Sequence, residues 1–126
     1  MTSITQLNPR EPIAVDRDRL GALYVELGEA SAEDIVCRAM EELALRMSHC
    51  DRLYRIDDMT NLRKSARSLI AIAEQIGMGG LAIAAEAVTD CVDCNDRVAL
   101  AATLTRLMRT GEGSLTAVWE LQDVTV

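Results

Sequence analysis

The chain has 126 residues, of which 49% are hydrophobic and only 2% are aromatic, with no phenylalanine. A core built from Leu, Ile, Val, Met and Ala favours helices over strands, so we predict one all-α domain with a single core. The formal net charge of −7 opposes attraction to polyanions, which excludes nucleic acid as an expected partner.

Residues 1–15 contain both prolines of the chain and many polar side chains, which predicts a flexible N-terminal arm. The helical domain is then expected to cover residues 16–126. The arm lacks the basic-then-apolar pattern of a signal peptide, and the chain has no run of about 18 apolar residues. We therefore expect a cytoplasmic protein that does not associate with a membrane.

Apolar residues that recur at spacings of three and four predict a series of amphipathic helices. The first covers about 16–29, and the second, which is the longest, covers about 32–56. Ser31 stands three residues before Asp34, a capping-box-like start to the second helix. The inward positions of these two helices are Leu20, Leu23, Tyr24 and Leu27, followed by Val36, Met40, Leu43, Met47, Cys50 and Tyr54.

Asp57 and Asp58 interrupt this pattern and are candidate caps for a third helix. That helix contains the stretch LRKSARSLIAIAEQIGM at 62–78. GMGG at 77–80 is expected to end it, because glycine readily adopts the left-handed conformation found at helix ends. Its inward positions are Leu62, Ala66, Leu69, Ala73 and Ile76.

The fourth helix is predicted at about 81–94, with Asn95 or Asp96 as the cap of a fifth. GEG at 111–113 predicts a break or a kink, after which Ser114 would cap a last short helix. Because the connections are short, consecutive helices should be antiparallel neighbours, giving an antiparallel four-helix bundle with an additional short helix. The inward positions of this part are Leu81, Ala84, Val88 and Cys91, then Leu100, Leu104, Leu107 and Met108, then Leu115, Val118 and Trp119.

The third helix carries the most specific pattern of the chain. A basic pair, Arg63 and Lys64, precedes a small pair, Ser65 and Ala66, and the helix closes on "IG" at 76–77. With the long second helix before it, this pattern resembles the histidine phosphotransfer (Hpt) domain of bacterial phosphorelays, over about residues 16 to 120 of this chain. The active helix of that family reads roughly as two basic residues, two small ones, His-x-Leu-Lys-Gly-Ser-Ala, a few more, and Leu-Gly.

The chain departs from the family pattern at the residues that carry its chemistry. Arg67 stands where the family has the phosphate-accepting histidine, Ile70 where it has lysine, and Ala71 where it has glycine. The family uses imidazole because a neutral nitrogen is a nucleophile, whereas a guanidinium stays protonated below a pH of about 12 and has no lone pair to offer. We therefore expect no phosphotransfer. GMGG lacks the Lys-Ser/Thr that follows a phosphate-binding loop, and the spacing suggests no Ser-His-Asp set, so we also expect no other enzymatic activity and no cofactor.

The outward face of the third helix comprises residues 60, 63, 64, 67, 71 and 74. The basic residues among them form a positive patch on an acidic molecule, and the resemblance implies a partner for it, the receiver domain of a response regulator. The phosphoacceptor pocket of a receiver contains several aspartates, with which arginine forms strong, directional pairs. A solvated charged face without a partner is the simpler alternative. The candidate partner-binding residues are Arg63, Lys64, Arg67, Ile70, Ala71 and Glu74.

The sequence is also compatible with other functions. A structural or homo-oligomeric helical protein, such as a homodimer, would need no phosphorelay partner. Cys91 and Cys94 supply at most half of a tetrahedral zinc shell, which His49 or Cys50 would have to complete, and a thiol redox role is a further alternative. We interpret His49, the only histidine, as structural, because the sequence after it lacks the family's lysine and glycine. Small buried hydrophobic residues are the simplest interpretation of the cysteines.

Overall fold

A computed structural model describes the backbone of residues 17–125 and the side chains of residues 18 and 20–120. These residues form five helices, α1 (Arg17–Leu27), α2 (Glu29–Arg55), α3 (Met59–Gln75), α4 (Gly79–Asp93) and α5 (Arg97–Thr125), and contain no strand. The all-α prediction is confirmed. None of the five helices has the length and apolar content needed to cross a bilayer. The arm predicted at 1–15 lies outside the described residues.

The four longer helices surround one core. Helix α2 contacts α3, α3 contacts α4, α4 contacts α5, and α5 contacts α2, while α1 packs against α2. The inward positions predicted for α2 from Val36 to Cys50 and for α3 from Leu62 to Ile76 are all buried. In α1, Leu20 is buried but Leu27 is 40% exposed, so the predicted inward face of α1 is only partly covered.

Three turns, those after α2, α3 and α4, reverse the chain through a residue with left-handed backbone. These residues are Asp57 (φ 63°), Gly77 (φ 77°) and Asn95 (φ 55°). The residue after each one donates its backbone N–H to a carbonyl five positions earlier, at 2.8–3.1 Å, which is the Schellman arrangement of a helix end. GMGG therefore ends α3 as predicted, although α4 already begins at Gly79.

The residue that closes a turn also starts the next helix. The Asp58 carboxylate accepts a hydrogen bond from the Asn61 backbone N–H at 3.2 Å, and the Asp96 carboxylate accepts one from the Ala99 N–H at 3.0 Å. The sequence offers Asp57 and Asp58 as candidate caps of α3, and Asn95 or Asp96 as the cap of α5; the structure selects Asp58 and Asp96. Such a cap satisfies one of the amide groups that an α-helix leaves without a partner in its first turn.

Two predicted helix boundaries are wrong. Helix α2 begins at Glu29 rather than at 32, because Gly28 (φ 83°) reverses the chain and its carbonyl accepts a bond from the Ala32 N–H at 3.0 Å. Ser31 is therefore inside the helix and is not its cap. Helix α5 runs through 111–113 without a break, and Ser114 is buried in its middle.

Gly111 explains why the predicted break does not occur. It lies in α5 directly against Met47 of α2, and a Cβ atom at Gly111 would overlap the Sδ and Cε atoms of that methionine. This glycine serves close packing between two helices rather than chain reversal. The C-terminal half of α5 can therefore continue along α2, so no separate short helix forms after Gly113.

Candidate docking face on α3

The α3 face comprises the six candidate residues Arg63, Lys64, Arg67, Ile70, Ala71 and Glu74. Its position follows from the helical repeat, because Arg67 is two residues, or about 200° around the helix, from the fully buried Leu69. The side chains of Lys64, Arg67, Ala71 and Glu74 are exposed, while those of Arg63 and Ile70 are half-buried.

Arg63 is held by a carboxylate of the neighbouring helix. Its Nε donates to Asp93 Oδ1 at 2.6 Å and its Nη2 donates to Asp93 Oδ2 at 3.1 Å, forming a bidentate pair between α3 and α4. The hydrogen bonds from Arg63, together with the charges of Arg63 and Arg67, hold the pKa of Asp93 below its ordinary value. The same pair raises the pKa of Arg63, with a smaller contribution from Asp90.

Asp90 and Asp93 are the residues of this region that sequence reasoning missed. A signal for them was present, because a short turn at 77–80 makes α3 and α4 antiparallel neighbours. Arg63 and Asp93 each lie fifteen residues from Met78, so they are expected at the same level of the two helices. Counting residues outward from the turn in both directions therefore predicts that Arg63 and Asp93 are neighbours.

The exposed cationic part of the α3 face is therefore narrower than the sequence suggests. Lys64 and Arg67 are exposed, whereas the guanidinium of Arg63 is already engaged by Asp93. Arg67 is close enough to Asp93 to lower the pKa of that carboxyl, although it does not form the hydrogen bonds. The α3 face therefore combines permanently charged basic side chains with two carboxylates of α4 at its border, those of Asp90 and Asp93.

The remaining residues of the α3 face determine its shape. Ala71 is exposed one turn after Arg67, and Glu74 follows on the same side of the helix. Ile70 turns partly inward and packs against the core. Ala71 adds a methyl group where the family has glycine.

The cysteines and the histidine do not converge on one site. Among the side chains that the structure describes, no group of three or more His, Cys, Asp or Glu residues is arranged to hold a metal ion. All four cysteines are free thiols: Cys94 is exposed, Cys37 and Cys91 are half-buried, and Cys50 is buried. Burial raises the pKa of Cys50, an effect partly offset by its hydrogen bond with Ser65. His49 lies half-buried on α2.

Comparison of the chain with protein-family models, with curated proteins and with solved structures gives no match. The likeness to the Hpt family therefore depends on the residue pattern of α3 and on the order of the helices.

Proposed function

We propose that this protein is a non-catalytic, Hpt-like signalling module that docks the receiver domain of a response regulator without phosphotransfer. In this proposal α2 to α5 form an Hpt-like antiparallel four-helix bundle to which α1 is added. The observation that carries the proposal is Arg67, an exposed and permanently charged side chain at the position that matches the phosphoacceptor histidine.

Docking would use the charges of the α3 face in a defined way. The Arg67 guanidinium would enter the acidic pocket of the receiver and form a bidentate pair with a carboxylate there. Lys64, one turn earlier on the same side, would add a second cation. Arg63, held by Asp93, would contribute little until that pair opens.

Phosphate would not be transferred in this complex. Arg67 has no lone pair for attack on the phosphoryl group, and Ile70 supplies no positive charge to it. The protein would therefore act as a decoy, a scaffold or an allosteric brake in a phosphorelay, since it occupies the receiver without discharging it.

The direct test mixes the purified protein with a panel of receiver domains carrying a labelled phosphoryl group and measures both complex formation and label transfer. We expect a stable complex with at least one receiver and no label on this chain. Absence of binding across the panel would reject the proposal. Label on His49 would also reject it, because it would identify a different acceptor.

A restored variant provides the matched control. Replacing the three departing residues together, as Arg67→His, Ile70→Lys and Ala71→Gly, returns the family's acceptor, cation and glycine to α3. If the α3 face meets the receiver's phosphoacceptor, this variant should take up label from the same phospho-receiver that the wild type binds without transfer. A variant that folds and binds but takes up no label would show that the receiver docks elsewhere.

A homo-oligomeric structural protein is the second candidate. The observation in its favour is the set of apolar side chains left at the surface, which includes Ile83 (72% exposed) and Val98 (84% exposed). Size-exclusion chromatography with light scattering would distinguish the two candidates. A stable dimer that buries these residues and binds no receiver would favour the structural role.

A further inference from the structure

A shallow apolar groove lies between the N-terminal half of α2 and the C-terminal half of α5. It has a volume of about 270 Å³, which is less than most small-molecule sites and is suited to one or two side chains. Trp119, one of its lining residues, is 57% exposed, although tryptophan is on average a highly buried residue. The lining residues are Cys37, Met40, Glu41, Ala44, Leu115 and Trp119.

The charge of the groove comes from a single lining side chain, Glu41. Neighbouring charges on α2 are neutralised within the helix, since Arg38 pairs with Asp34 and Arg46 pairs with Glu42. Among the described residues Glu41 is exposed and takes part in no such pair. A lone carboxylate beside an indole ring and apolar walls is suited to a cation with an aliphatic stem.

We propose that this groove docks a basic amphipathic helix of a partner protein. Apolar side chains of that helix would cover Trp119 and Leu115, and a Lys or Arg would pair with Glu41 and lie against the indole ring. The net charge of −7 would favour the encounter with a basic segment. The site is separate from the α3 face, because none of the residues that line the groove lies on α3.

A second copy of this chain is a less suitable occupant. In a two-fold dimer the same surface patch lies on both sides of the interface. Groove-to-groove contact would therefore place both Glu41 carboxylates in one interface without a cation from either groove, in a pair of chains that each carry a charge of −7. Like charges at such an interface oppose association.

Trp119 is the only tryptophan of the chain, so its fluorescence reports directly on the groove. The probe is a synthetic amphipathic helix of about four turns made of leucine and lysine, compared with a peptide that has the same leucines and glutamate in place of lysine. We expect the lysine peptide to shift the Trp119 emission to shorter wavelength in a saturable way, and the glutamate peptide to leave it unchanged.

Two variants with the same change of net charge distinguish peptide binding in the groove from general electrostatic attraction to the acidic protein. Glu41→Gln removes the groove carboxylate, whereas Glu86→Gln removes an exposed one on α4, which does not line the groove. We expect Glu41→Gln to weaken binding of the lysine peptide about fivefold and Glu86→Gln to change it less than about twofold. Circular dichroism verifies that both variants are folded.

Three outcomes would overturn the proposal. The first is an unchanged Trp119 emission at saturating lysine peptide, and the second is equal weakening by the two variants. The third is a concentration-dependent shift in the emission of the protein alone, together with a dimer in light scattering, since this would identify a second copy as the occupant.

Discussion

The two sides of α3 differ in what surrounds them and in what their residues can do. On the inner side, Leu62, Leu69 and Ile76 are fully buried, together with the two alanines between them. On the outer side, Lys64 and Arg67 are exposed and take little part in packing. One helix therefore supports the core with one side and presents fixed charge with the other, so stability and docking should respond to different substitutions.

The contacts of α3 with its neighbours agree with this division. On the inner side, the Ser65 hydroxyl donates to the Arg46 carbonyl of α2 at 3.3 Å, and Ala66 and Ala73 are small enough to bring the neighbouring helices close. The Arg63–Asp93 pair is a contact of the outer side with α4, and both of its side chains are partly exposed to water. Solvent weakens such a pair, so the outer side is expected to contribute little to folding.

The largest effect is expected for Leu69→Ala on the inner side. Removing a fully buried leucine between alanines leaves a cavity that its small neighbours cannot fill, at a cost of about 3 kcal/mol of unfolding free energy. Urea denaturation followed by circular dichroism would measure the loss. The control on the outer side is Arg67→Ala, for which we expect a change below about 0.5 kcal/mol. Similar losses of unfolding free energy for the two variants would contradict the division of α3 into a stabilising inner side and a docking outer side.

The next largest effect is expected for Gly77→Ala, in the turn that follows α3. Gly77 is buried with φ 77°, and a side chain in this backbone conformation costs about 1–2 kcal/mol, so Gly77→Ala should lower the unfolding free energy by that amount. Gly79→Ala is the matched control, since apart from its chain neighbours and the nearby backbone of its own helix no atom lies within 4 Å of the added Cβ, and Gly79 is already helical. We expect the control to be neutral or slightly stabilising in the same denaturation experiment.

A smaller effect is expected at the start of α3. Asp58→Ala removes the cap on the Asn61 N–H, whereas Asp58→Asn keeps an acceptor there. Hydrogen bonds from Asn61 lower the pKa of Asp58, so its carboxylate stabilises the folded state above its ordinary pKa of about 4. This contribution is lost as the pH falls through the lowered pKa. The stability difference between wild type and Asp58→Ala should therefore shrink below about pH 4, and a constant difference would argue against the charged cap.

The smallest effect is expected for Asp93→Asn at the border of the outer side. Removing this negative charge would free Arg63 from its bidentate pair and take one of the two bordering carboxylates away from Arg67. We expect the affinity for a receiver to rise about two- to threefold, with the stability nearly unchanged. Fluorescence anisotropy with a labelled receiver would measure this change. A fall in affinity would show instead that the pair positions Arg63 for docking.

The sequence was sufficient for most of the fold because local patterns and local caps determine it. The burial of α3 from Leu62 to Ile76 follows from its spacing, and Asp58 and Asp96 are readable as caps. The break predicted at Gly111 is wrong because glycine at a helix end and glycine at a close helix contact look alike in one sequence. Only the position of Met47 distinguishes the two roles.

The candidate sites show the same limit. The outward position of Arg67 follows from the helical repeat alone. To predict the Arg63–Asp93 pair, one must know the register between α3 and α4. The turn between the two helices sets that register, but only once the length of the turn is known. The sequence does not predict the groove beside Trp119, because the break predicted at 111–113 separates Trp119 from the preceding part of α5.

The central claim is that Arg67 itself makes the contact with the receiver. It is tested most directly by the dissociation constant of one receiver for the wild type, for Arg67→Glu and for Arg52→Glu, which makes the same charge change at an exposed arginine of α2. We predict at least about a tenfold weakening for Arg67→Glu and less than about twofold for Arg52→Glu. Equal dissociation constants for the wild type and Arg67→Glu would contradict the account.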